Sequence, residues 1–198
     1  MNVNETDKIK AFWNWFSCHQ KELGEDNVAP DIIAELEEQL FLIKRLDWEI
    51  GPGSRTSHQF ALSPQGDLQL LEFTTKIIEL APRIEDWEFF AAKPPKSWNL
   101  IFELLVEGAP HSVDGKLWEF VAYKFKDGTY DLVFKPNSSN ELSEEYLYWA
   151  STIIIDGEIG EERRMRKVGK VEIVATWDNK SAGNARRLEL GLLEKIIK

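Results

Sequence analysis

Trp118-Glu119-Phe120-Val121-Ala122-Tyr123-Lys124-Phe125-Lys126-Asp127-Gly128-Thr129-Tyr130-Asp131-Leu132-Val133-Phe134-Lys135 is the stretch that decides the fold class. Two β-rich runs, Trp118 to Phe125 and Thr129 to Lys135, flank Lys126-Asp127-Gly128, and Asp-Gly between such runs is hairpin chemistry. A tight turn joins antiparallel strands, whereas parallel neighbours need a crossover of a dozen or more residues. A strictly alternating parallel α/β fold is therefore disfavoured. With separate helical segments on either side, the expectation is α+β: a largely antiparallel sheet with helices packed on it.

Outward from the hairpin, the pattern runs strand, strand, helix, strand in both directions. Upstream, Leu46 to Ile50 and Ser57 to Leu62 read as strands. Asp67 opens a helix to about Leu80, and Trp87 to Ala92 reads as a strand closed by Pro94-Pro95. Downstream, Pro136 to Asn140 reads as a loop, Ser143 to Ile155 as a helix, the following charged segment as a long loop, and Lys170 to Trp177 as a strand. Residues 99–107 fit a strand or a short helix, with strand preferred. The whole chain, 1–198, is expected as one α+β domain with pseudo-repeat halves at 44–96 and 97–180. These are flanked by N-terminal helices within 7–43 and a C-terminal helix over 184–197.

The triplet Trp-Glu-(Ile/Phe) recurs at 48–50, 87–89 and 118–120. Residues i and i+2 of a strand share a face, so each copy is expected to turn Trp and its apolar partner inward and Glu outward. Recurrent β patterning accounts for such echoes as well as a duplication does.

The chain carries 34 acidic and 24 basic residues, a formal charge of -10, and eight tryptophans in 198 residues. Acid excess repels phosphate backbones, which argues against nucleic acid as a partner. The final quarter is the exception, with Arg163-Arg164-Met165-Arg166-Lys167-Val168-Gly169-Lys170 read as a solvated loop and strand start. One cysteine, Cys18, cannot form an internal disulfide, and Met1 to Asp7 is polar with no apolar run behind it. No apolar run approaches a membrane span. The expectation is a cytoplasmic protein with no membrane association. Nothing in the sequence sets the oligomeric state.

Chemistry-bearing motifs are sparse. Cys18 and His19 are helix neighbours whose side chains diverge, and no Gly-x-Ser-x-Gly elbow is present. His19, His58 and His111 are widely spaced, so no metal site is expected, and no cofactor motif is found. Asp156-Gly157-Glu158-Ile159-Gly160-Glu161-Glu162 lacks calcium-loop spacing and reads as a turn in which Gly157 and Gly160 supply positive φ. Gly51-Pro52-Gly53-Ser54-Arg55-Thr56-Ser57-His58 offers backbone donors, hydroxyls and cations for an anion, as a flexible hairpin loop also would. Arg55, His58 and Glu161 are the candidate ligand-binding residues. Trp15, which lies off the apolar stripe of its helix, and Trp98, with Lys93 and Lys96 in the preceding turn, are the candidate partner-binding residues.

Phe12-Trp13-Asn14-Trp15-Phe16, Ala81-Pro82-Arg83-Ile84-Glu85-Asp86-Trp87-Glu88-Phe89-Phe90-Ala91-Ala92-Lys93-Pro94-Pro95 and Ile159-Gly160-Glu161 together resemble a family of uncharacterised bacterial proteins of about this length. That resemblance spans most of the chain and implies a bacterial source, with no activity and no catalytic residues to carry over. The functional expectation is a binding protein that acts by surface contact, of immunity or regulatory type. A basic protein partner would suit its charge. The alternative is a small-molecule enzyme whose site is assembled from distant residues, and a weaker one is RNA binding through 163–170.

Overall fold

A computed structural model describes residues 3–137, 142–178, 181 and 183–198; residues 138–140 of the expected post-hairpin loop lie outside them. Six α-helices and nine strands are present among the described residues, and the strands form three mostly antiparallel sheets, so the fold is α+β. The chain divides into two units, residues 1–93 and 94–198, each with its own hydrophobic cluster.

The first unit contains α1 (Val3–Leu23), α2 (Pro30–Ile43), β1 (Asp47–Pro52), β2 (His58–Ser63), α3 (Leu68–Glu79) and β3 (Trp87–Phe90). Ile9, Phe12, Trp13 and Phe16 recur on one side of α1 and are fully or nearly buried. Their rings meet Phe60 of β2 and Phe89 of β3 edge-on or tilted, with Trp13 and Phe89 centroids 4.8 Å apart. The Trp13 indole N–H is buried and donates to the Ile77 carbonyl at 2.9 Å, fastening α1 to α3. Asp67 caps α3 as expected, its carboxylate accepting from the backbone N–H groups of Gln69 and Leu70. β1 and β2 pair antiparallel, and after α3 the chain returns as β3, parallel to β2 on its other side.

The second unit contains β4 (Ile101–Val106), β5 (Ala109–Asp114), β6 (Glu119–Lys124), β7 (Tyr130–Lys135), α4 (Glu144–Ile159), α5 (Glu161–Lys167), β8 (Val168–Ile173), β9 (Arg186–Arg187) and α6 (Leu192–Ile196). Residues 101–106 are strand, and they pair with β5 in a hairpin of their own. β6 and β7 form the expected hairpin. Asp127 accepts from the Thr129 N–H at 3.0 Å and its hydroxyl at 2.7 Å, and Gly128 takes φ +82°. β7 alternates strictly, burying Tyr130, Leu132 and Phe134 against Ala150, Ile154 and Ile155 of α4. β8 then joins parallel to β7, in the sheet order β8-β7-β6-β9. Hairpin, helical crossover and a third strand parallel to the second thus occur in both units.

Three expectations fail here. The basic run is not a loop: Glu161 to Lys167 is helical, with Glu161–Arg164 and Glu162–Arg166 pairs at helical spacing. Gly157 does not serve a turn but lies inside α4, while Gly160 alone makes the break, at φ +82°. The C-terminal helix over 184–197 shrinks to Leu192–Ile196. Arg186 and Arg187 pair instead with Phe120 and Glu119 of β6, and Gly191 at φ +71° precedes the short helix.

Candidate functional site

The Gly51 to His58 connection folds around an internal anion. Glu88, expected to point outward from β3, is only 7% exposed. Its Oε1 accepts from the Arg55 N–H at 2.7 Å and from Arg55 Nε at 3.3 Å. Its Oε2 accepts from the Ser54 N–H at 3.2 Å and the Ser54 hydroxyl at 3.0 Å. Burial alone would raise the Glu88 pKa. The bonds from Ser54 and Arg55 outweigh that and hold the carboxyl below its ordinary value. The donors that suit this loop to a phosphate are therefore occupied by a carboxylate of the chain itself. Residue alternation could not reveal it, because the Ser54 partner lies 34 positions away.

His58 begins β2 and is held by packing. Its ring lies 5.1 Å from that of Trp87, and a Cβ on Gly24 would meet Nε2 at 3.0 Å. It borders an open cleft of about 600 Å³ with Lys21, Arg83, Glu85 and Asp86, of which Arg55 is not part. Glu161 belongs to the second unit, where it is buried and faces Arg164, which also pairs with Asp156 at 2.5 Å. Arg55, His58 and Glu161 thus have separate neighbours and separate structural duties.

The four candidate partner-binding residues also divide between the units. Trp15 is half-buried, stacks on His19 and donates to Glu35 at 3.1 Å, tying α1 to α2. Lys93 borders a cleft of about 690 Å³ between α2 and β1, together with Glu37, Glu38, Asp47 and Trp48. In the second unit the Lys96 N–H donates to the Gly157 carbonyl at 2.8 Å, and Trp98 lies flat on Gly157. A Cβ added at Gly157 would stand 2.3 Å from the indole, so glycine here permits close approach. Trp98 Nε1 and Glu158 Oε2 are buried, and neither makes a well-aligned hydrogen bond among the described residues. Burial pushes the Glu158 carboxyl up, against the opposing pull of the Gly191 and Leu193 N–H groups and the nearby indole.

The basic run is largely neutralised. Arg164 faces Asp156 and Glu161, Arg166 pairs with Glu162 at 2.9 Å, and Lys170 pairs with Glu172. Such pairing reduces the charge on offer to a phosphate backbone.

Two features that motif reading passed over remain. One is an aromatic face beside the β4–β5 hairpin. The Glu107 N–H in the hairpin turn donates to the Tyr146 hydroxyl of α4 at 3.3 Å, and Trp149 stands edge-on to Tyr146 at 5.2 Å. Trp149 is 46% exposed and Leu105, two residues before that turn, is 67% exposed. Glu103 shares the outer face of β4 with Ile101 and Leu105, and Glu145 precedes Trp149 by one helical turn. The other is a cleft of about 660 Å³ at one end of the four-stranded sheet. Its lining includes Glu119, Lys135, Glu144 and Arg187 together with Leu117, Leu147 and Val174.

No group of three or more metal-ligating side chains comes together among the described residues, and no helix there is long and apolar enough to cross a membrane. Compared with protein-family models, curated proteins and solved structures, the chain matches none.

Proposed function

We propose that the protein acts by surface contact with a basic protein partner, as an immunity-type or regulatory protein does, through the face formed by α4 and the β4–β5 hairpin. The supporting observation is the exposed Trp149, edge-on to Tyr146, whose hydroxyl accepts from the Glu107 N–H of the β4–β5 turn, on a hairpin that also exposes Leu105. An aromatic centre with a charged rim is the anatomy of a protein interface, and tryptophan is over-represented among the residues that dominate binding energy. Glu103, Glu107 and Glu145 on the same two elements favour a basic partner and speed its encounter.

Affinity capture from native lysate tests this, run with the wild-type protein and with Trp149→Ser and Leu105→Ser. The expected result is one stoichiometric partner of basic composition, released by salt and lost with both variants while their circular dichroism is unchanged. Capture that is equal for wild type and variants refutes this face, and recovery of no partner refutes the contact function. Sedimentation of the isolated protein separates the competing case in which a second copy covers the same face.

A further inference from the structure

The cleft at the end of the four-stranded sheet goes beyond that reading and does not depend on it. Arg187, Glu119 and Lys135 stand side by side on β9, β6 and β7, with Glu119 the registered neighbour of both cations. Neighbouring side chains of this kind begin about 5 Å apart. Glu119 nevertheless pairs on one side only. Its Oε2 accepts from Lys135 Nζ at 2.5 Å and from the Trp177 indole N–H at 2.8 Å. Arg187 turns its Nε away to the Lys116 carbonyl at 3.0 Å. Opposite charges therefore sit on adjacent strands without a direct ion pair. Glu119 Oε1 and the two terminal nitrogens of Arg187 are left without a hydrogen bond among the described residues.

We infer that this cleft binds a small zwitterion of the amino-acid type, its ammonium on Glu119 Oε1 and its carboxylate on the Arg187 guanidinium, with an apolar side chain against the aliphatic part of the lining. A planar guanidinium suits a carboxylate because it can donate two parallel hydrogen bonds. The charge balance selects the class. Lys135 and Arg187 are offset by Glu119 and Glu144 in the lining, so a phosphate dianion would meet two carboxylates, whereas a zwitterion matches both signs. The volume, about 660 Å³, lies within the range of small-ligand sites.

Calorimetric titration tests the inference with L-leucine, with 4-methylpentanoate and isopentylamine, which each keep one of its two charges, and with inorganic phosphate. L-leucine is expected to bind, and each single-charge analogue at least about tenfold more weakly, since a charged hydrogen-bonding partner is lost. Arg187→Gln is expected to weaken L-leucine by a similar factor. This exposed position keeps the test independent of Glu119→Gln, which also releases Lys135 and Trp177. Equal binding of either analogue overturns the zwitterion, and tighter binding of phosphate overturns the ligand class. Absence of binding by L-leucine and by the other apolar amino acids up to about 10 mM overturns the site.

Discussion

Gly157→Ala sets two physical effects of opposite sign against each other. Gly157 lies inside α4, where alanine is favoured over glycine by about 1 kcal/mol, so helix propensity alone makes the variant more stable. Packing points the other way. The added methyl would stand 2.3 Å from Cζ2, 2.7 Å from Cε2 and 2.9 Å from Cη2 of Trp98. Unstrained carbon pairs sit at about 3.5–4.0 Å, so the ring must retreat by roughly an ångström. Retreat is resisted, because Lys96 is bonded to the Gly157 carbonyl and Trp98 packs against Phe102 with centroids 5.8 Å apart. Overpacking of this kind costs about 1–3 kcal/mol, and three carbons below contact distance place it in the upper part of that range. The expected net change is a loss of about 1–2 kcal/mol in urea unfolding followed by circular dichroism. In a Trp98→Ala background the same substitution should reverse sign and stabilise by up to about 1 kcal/mol, because only propensity remains. Stabilisation by Gly157→Ala in the wild-type background, or additivity of the two substitutions, would refute the packing account.

Three further outcomes follow from single residues. Glu88, held below its ordinary value of 4.5, contributes stability that is present above that pH and is lost as pH falls through the folded-state pKa. Glu88→Gln should therefore lower the urea midpoint at neutral pH and flatten its fall on acidification; an unchanged acid limb would contradict the clamp on Ser54 and Arg55. Glu158 has the opposite sign. Its carboxyl is pushed above 4.5 by burial, so ionisation destabilises the fold as pH rises from 4.5 to the folded-state pKa. Glu158→Gln should be more stable than wild type above that window and nearly equal to it below 4.5, as thermal melts across pH would show. Glu107 and Gly108 form a two-residue hairpin turn with φ of +51° and +84°, a conformation glutamate adopts at a cost and asparagine tolerates. Glu107→Asn is expected to stabilise by about 0.5–1 kcal/mol in denaturant unfolding, and a loss would show that the Glu107 side chain carries a contact.

What the sequence determined by itself is the set of structures that depend on near neighbours. The β6–β7 hairpin follows from the β-rich runs on either side of Asp127-Gly128, and the start of α3 follows from Asp67 bonding the next turn of its own chain. Helix α5 was legible in the same way, through glutamates three and four residues ahead of Arg164 and Arg166, although the density of charge in that segment suggested a loop. Tertiary structure decided the rest. Glu88 is interior because a loop more than thirty residues earlier closes over it, and alternation carries no information about a distant loop. Arg186 and Arg187 are strand because β6 offers an edge, not because two arginines prefer one. The candidate contact residues changed for the same reason. Trp15 and Trp98 were the tryptophans that local patterning left uncovered, yet Glu35 engages the first and Gly157 receives the second. Trp149, on a helix apolar on several sides, is the one left facing solvent. A repeat of residues tells which side chains share a face; only the other elements of the fold tell whether that face is covered.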